Sequence, residues 1–404
     1  MQWIDFQKTI HQRLTDSQLD ESQKQAKNFN LRGHSLIRGV AGSGKSLVLQ
    51  KRVEKLVEEK FDRILVLSYN RYMQGWIESN LNHSCECHTF HRWAFQNFKY
   101  SYESDREKES RQKLIEAAHQ SNLNYQAILV DEAQDFYDEW FQALLKVLDR
   151  QTNSLFFVYD NTQSVYGQSH RGKSGWSWAK LGIDVVGRSQ IFDLNYRNSP
   201  EILELAWKFI QPTLIQAEIK AEKRENSPSI DKLIEPKKNI SRSSGISPLL
   251  IQIQTEKIAI ETANQVKLAL ESQPGSSIAI LFRPGDTKAL KTQLSKELFR
   301  LGVGHHAPMT SQERDKNFTA RSSVLIDSWN AAKGIEFDAV IIVLSEISEE
   351  FEERAGLYTA MTRAKDHLIF VYERRSEIVD FIEEILNAPD QLSESGVKQI
   401  EALQ

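Results

Sequence analysis

Gly39-Val40-Ala41-Gly42-Ser43-Gly44-Lys45-Ser46 is the most informative segment of the 404-residue chain. It fits G-x-x-x-x-G-K-[ST], and its flanks suit that pattern. An apolar run, 35–40, precedes it, and the residues after Gly44 put Leu49, Val53 and Leu56 on one helical face. Strand, glycine loop and helix in that order make a phosphate cradle. The loop's backbone N–H groups curl around phosphate oxygens, and the helix N-terminus adds its positive end. Gly39, Ala41, Gly42, Ser43 and Gly44 are the candidate cradle. Lys45 is the candidate for the β- and γ-phosphates, and Ser46 for Mg²⁺.

A second segment completes a nucleotide site. Ile128-Leu129-Val130 reads as a buried strand, and Asp131-Glu132-Ala133-Gln134-Asp135 follows it. Two acids at a strand end suit a metal–water centre. Asp131 is the candidate to hold Mg²⁺ through its coordinated water, and Glu132 to orient or deprotonate the attacking water.

Working outward, short runs rich in Ile, Val and Leu recur at 35–40, 64–67, 127–130, 155–158, 278–282, 324–326, 339–344 and 368–371. Helical stretches separate many of them. Continuous apolar runs suit strands buried on both faces, so the expectation is an α/β fold with parallel sheets covered by helices. Two polar stretches interrupt it. Residues 211–247 read as an insertion or mobile loop, and 101–113 as a solvated helix or loop. The composition is 40% hydrophobic and 26% charged, which excludes a wholly disordered chain. With 51 basic and 55 acidic residues the net charge is -4, so any nucleic-acid binding must come from a local groove. Two cysteines, Cys85 and Cys87, exclude a disulfide framework, which fits a reducing cytoplasm. Residues 1–10 are polar and lack a signal peptide's apolar core, and no run is long enough to span a bilayer.

The order of further motifs resembles the superfamily 1 helicases of the UvrD/Rep/PcrA type. Gln23 lies where that family's adenine-reading glutamine does. Ser68-Tyr69-Asn70-Arg71 and Thr89-Phe90-His91 resemble its single-strand-gripping elements. Tyr159-Asp160-Asn161-Thr162-Gln163-Ser164-Val165-Tyr166 resembles the segment coupling γ-phosphate to DNA. Asn195-Tyr196-Arg197, Lys333-Gly334-Ile335-Glu336-Phe337 and Thr359-Ala360-Met361-Thr362-Arg363-Ala364 resemble the motifs of the second lobe. The resemblance implies two RecA-like P-loop lobes, 1–190 and 191–404, with ATP and Mg²⁺ between them. It implies that Gln163 senses the γ-phosphate, Tyr196 stacks on adenine, Glu336 holds the ribose, and Arg197 and Arg363 act as arginine fingers. Asn70, Arg71, Thr89, His91, Tyr166 and Asn330 would meet single-stranded DNA. The implied activity is a 3′–5′ ATP-driven helicase or translocase in the cytoplasm.

Three departures shape that expectation. Only 95–126 separates the T-F-H element from the Asp131 strand, and 283–323 is also short, so neither lobe has room for the family's large insertions. A motor that works with a partner protein is therefore expected. A DNA-gated ATPase, or an assembly subunit controlled by nucleotide, is the alternative. No tryptophan closely follows Tyr166, which leaves either Trp176 or Trp178 as a substitute or a weaker stack. Ser328 and Asn330 replace threonine and histidine but keep hydrogen-bonding ability. Finally, His83, Cys85, Cys87, His88 and His91 crowd together, although their spacing is not that of a usual zinc site.

Overall fold

The structure, a computed structural model, describes residues 19–69, 71, 74, 85–160, 162, 178–222, 234–239, 241–285, 287–310, 313–314, 324–344 and 350–388. The first half builds one sheet. Helix α1 (Glu21–Lys27) precedes β1 (His34–Gly39), and α2 (Lys45–Glu58) precedes β2 (Ile64–Ser68). Then come β3 (Glu86–Thr89), α3 (Phe90–Phe98), α4 (Lys108–Gln120), β4 (Ala127–Val130), α5 (Asp138–Lys146), β5 (Ser154–Tyr159) and β6 (Ser189–Phe192). The strand order is β3-β2-β4-β5-β1-β6, and every neighbouring pair is parallel.

The second half repeats the plan. A short pair, β7 (Leu194–Asn195) and β8 (Lys237–Lys238), flanks α6 (Pro200–Glu222). Next follow β9 (Leu249–Gln252), α7 (Ile258–Ser272), β10 (Ile278–Phe282), α8 (Thr287–Arg300), β11 (His305–His306) and β12 (Val324–Ser328). The last elements are β13 (Phe337–Leu344), α9 (Phe351–Met361), β14 (Ala364–Tyr372) and α10 (Glu377–Asn387). This sheet runs β11-β12-β10-β13-β14-β9, again all parallel. Two parallel sheets flanked by helices, the first carrying a P-loop at the end of β1, are the expected RecA-like architecture.

The apolar runs produce this because alternate residues leave a strand on opposite faces. Ile37, Val66, Leu129 and Val158 pack one way with Val48, Leu49 and Val53 of α2. Leu36, Leu67, Val130 and Phe157 pack the other way with Phe90, Trp140 and Leu144. In the second sheet Ile278 and Ile280 meet α7 and α8, whereas Ala279 and Leu281 face the layer containing Ile202, Leu205 and Leu357.

The described parts of both polar stretches form defined structure, while residues 223–233 and 240 of the supposed insertion lie outside the described residues. Helix α6 runs through Pro212 to Glu222, because Ile202, Leu205, Ala206, Phe209, Ile210 and Leu214 form one buried stripe. Residues 241–247 are also placed, with Glu201 accepting from Ser243, Ser244 and Gly245. The 101–113 segment turns through a short 3₁₀ helix, Tyr102–Arg106, into α4. Its Asp105 is buried, accepting from Tyr100 at 2.8 Å and pairing with His91. Among the described residues no helix is long and apolar enough to cross a membrane.

Candidate functional site

In a parallel sheet the carboxyl ends of the strands gather on one edge, and ligands bind there. Strand β5 lies between β1 and β4, so the P-loop, Asp131 and Asp160 emerge side by side. Gly42 and Gly44 take the left-handed conformation, with φ of 66° and 86°. Space demands glycine as well: a Cβ on Gly44 would lie 2.5 Å from Gln23 Nε2, and one on Gly42 2.7 Å from Arg197 Cβ.

Lys45 is buried at the mouth of α2. Its Nζ donates to the carbonyls of Gly39 at 2.9 Å and Val40 at 2.8 Å and lies 3.7 Å from Asp160. Burial lowers its pKa, while Asp160 and Glu132 oppose that shift. Ser46 Oγ donates to the Asp131 carboxylate at 3.0 Å. Burial and then the Glu132 charge push Asp131 up to about 7. Burial also disfavours charge on Glu132, but Lys333, Lys45, the Gln134 amide and Arg363 together hold its pKa below the ordinary value. The Gln134 amide links two strand ends: Nε2 donates to Glu132, and Oε1 accepts from Asp160 N at 3.1 Å.

The second half supplies the opposite wall. Tyr196, Arg197, Glu336 and Arg363 line one cavity of about 350 Å³ together with residues 42–47 and Glu132. Glu336 accepts from Arg197 Nε at 2.6 Å. Arg363 is buried, donating to the carbonyls of Thr359 at 3.0 Å and Ile335 at 3.4 Å and to Thr362 Oγ1 at 3.1 Å. Burial, then the neighbouring Arg197, lowers its pKa. Gln23 stands beside the cavity, with Nε2 donating to Ser43 O at 3.1 Å. A hard dication suits Ser46 and Asp131: a hydroxyl and a buried carboxylate offer oxygen ligands only, and that carboxylate resists ionising alone.

Sequence reasoning missed the cavity residues Arg242 and Lys365, and the partners of Lys333. Arg242, from the supposed insertion, lines the cavity, donating to Arg197 O and to Asp366 Oδ1 at 2.9 Å. Lys365 lies 3.5 Å from Glu336 and 3.6 Å from Asp338. Lys333 crosses between the halves, with Nζ 2.5 Å from Asp135 and 3.8 Å from Glu132, all three buried. No local spacing encodes these, since the partners of Lys333 lie about 200 residues earlier.

The described nucleic-acid candidates come from several elements. Thr89 caps α3, accepting from Arg92 N at 3.3 Å, and its own N–H donates to Gln74 at 3.2 Å. His91 Nε2 lies 2.7 Å from Asp105, with the rings of Tyr69, Tyr102 and Trp140 around it. Asn330 sits in the turn before Lys333, and its Oδ1 is buried without a hydrogen-bond partner among the described residues. Arg71 follows β2 and is half-buried. Asn70, Gln163, Tyr166, Trp176 and His83 lie outside the described residues. Trp178 is no exposed platform: it is buried against Phe141, Phe157 and Tyr159. Among the described residues no three His, Cys, Asp or Glu side chains gather to hold a metal.

Residues 8–169 match the family of AAA domains, and residues 323–371 match the UvrD-like helicase C-terminal domain. No curated protein matches the chain. A solved structure similar to it is the C-terminal domain of a possible DNA helicase from Lactobacillus plantarum WCFS1. The identity is 19% and the TM-score 0.32, over 47% of this chain and 96% of that one. The first match contains the P-loop and the acid pair; the second contains Lys333, Glu336 and Arg363. A P-loop half followed by a UvrD-like helicase C-terminal domain is the order in which the two matches fall, and both support the resemblance to the UvrD/Rep-like helicases.

Proposed function

We propose that the protein is an ATP-driven motor on single-stranded DNA, moving 3′ to 5′ and acting with a protein partner in the cytoplasm. The lobes are 1–190 and 191–404, and ATP is hydrolysed between them. The observation that carries this is the shared cavity: Lys45 and Glu132 come from the first sheet, and Arg197 and Arg363 from elements beyond it. Negative charge spreads over the γ-phosphoryl oxygens in the transition state, and planar guanidinium groups suit it. Lys45 leaves the Gly39 and Val40 carbonyls for the β- and γ-phosphates. Glu132, held ionised by its neighbours, orients the attacking water and accepts its proton. Gln163 senses the γ-phosphate. Tyr196 and Gln23 take adenine, Glu336 takes the ribose, and Arg242 adds a cation on the second wall. Ser46 and Asp131 would hold Mg²⁺, which when bound neutralises phosphate charge.

DNA meets Asn70, Arg71, Thr89, His91, Tyr166 and Asn330. The stretch between α3 and β4 is short, leaving little to grip a duplex, which supports a partner protein. The test is ATP hydrolysis with and without single-stranded DNA at several salt concentrations. DNA should stimulate turnover, and salt should weaken binding steeply, because a chain of net charge -4 holds phosphates through a local groove. Turnover indifferent to every nucleic acid would favour the assembly-subunit alternative.

A further inference from the structure

Asp20 joins two parts of the cavity that the sequence keeps far apart. One carboxylate oxygen, Oδ1, accepts from Gln23 N at 2.7 Å, and Gln23 Oε1 accepts from Asp20 N at 3.1 Å. This reciprocal pair caps α1. It also fixes the Gln23 amide, whose Nε2 donates to Ser43 O. The other oxygen, Oδ2, accepts the hydroxyl of Tyr196, 176 residues later. Tyr196 N meanwhile donates to Gly42 O at 2.9 Å, so the tyrosine is held at both its backbone and its tip. Burial, then the Asp20 bond, raises the phenol's pKa, so it stays a donor.

A helix cap needs one acceptor. The second oxygen of Asp20 adds nothing to α1, yet it is spent on a ring that faces the nucleotide cavity. A stacking face alone is indifferent to base identity, because every base has a π-face. An amide reads the hydrogen-bonding edge of a base only when the base is held at a fixed place. We propose that Asp20 is the positioning residue of base selection: it sets the Tyr196 ring and the Gln23 amide in one fixed relation, and so makes the site select adenine over other bases. This rests on the adenine-nucleotide reading above.

Asp20→Ser separates the two duties, because a serine hydroxyl still caps the helix but cannot also reach the tyrosine. Tyr196→Phe removes only the hydroxyl. Hydrolysis of ATP, GTP and CTP is measured on the full chain with saturating single-stranded DNA. Each substitution is expected to raise KM for ATP by about 5–10-fold, the worth of one buried hydrogen bond, with the loss falling on KM rather than kcat. The ATP-over-GTP preference should narrow to match. The double variant should be no worse than either single one, because both remove the same bond. Unchanged ATP preference in Asp20→Ser, or losses that multiply in the double variant, overturns the inference. Should Asp20→Ser fail to fold, Tyr196→Phe with undiminished ATP preference overturns it alone. A wild-type protein that hydrolyses no nucleotide instead sinks the underlying reading.

Discussion

Glu132 occupies the left-handed region at φ 53°, a conformation that costs a non-glycine residue on the order of 1 kcal/mol. The neighbours that over-determine it are Lys333, Gln134 and the end of β4. Strain of this kind gathers where a side chain must point one way, here into the cavity. Lys45 and Glu132 should therefore fail differently. Lys45→Ala should lose nucleotide binding, since its charge meets phosphate in the ground state. Glu132→Gln should keep binding but lower kcat by about 10²–10⁴, the usual worth of a general base. Nucleotide titration and single-turnover hydrolysis separate the two, and a fully active Glu132→Gln protein would refute the role. At this scale the legible residues were those whose neighbours in sequence are also neighbours in space: the P-loop, the acid pair and Tyr196-Arg197. Arg242 was not singled out, and the partners of Asp20, Asp160 and Lys333 were not legible, because each is met only when distant strands close up.

Strands buried on both faces announced themselves, and 127–130 and 278–282 fall on β4 and β10 to the residue. The strands that went unread are edges or short pieces. In β6 both Ser189 and Ile191 are exposed, and β9 begins and ends exposed, so neither carries a continuous apolar run. Strand β11 is just His305 and His306, and it brings a titratable ring beside the buried Lys291–Asp327 pair, to which the half-buried Arg314 also bonds. Burial drops the His306 pKa from 6.5 to about 4; Asp327 and Glu313 oppose this, and Lys291 and His305 add to it. The folded state thus refuses a proton that the unfolded chain accepts. Stability present above pH 6.5 is lost as pH falls toward 4, by about 1–3 kcal/mol after allowance for solvent at a half-buried ring. His306→Gln should flatten the acid limb of Tm against pH in that window. A wild-type-minus-variant difference constant from pH 7 to 4 would refute it.

The two sheets lean on one another through side chains as well as through the cavity. Lys333 of the second half reaches Asp135 and Glu132 of the first, so the charges that lose water where the halves meet are paired with one another. The proposed function carries a defined polarity, which is tested at this scale. Strand displacement should occur on a 3′-tailed duplex rather than a 5′-tailed one, and should be poor on long duplexes until the partner is added. Robust unaided unwinding, or a preference for 5′ tails, would count against the proposal. The order of strands along the chain carries one more consequence, for synthesis. Every strand of the first sheet lies between residues 34 and 192, so it can close before β9 leaves the ribosome. A nascent chain at that stage already has the phosphate cradle, Asp131, Glu132 and Arg197, but not Arg363. On the proposed function such a chain would hold a nucleotide without spending it, a binder that becomes a motor only after translation has passed residue 363.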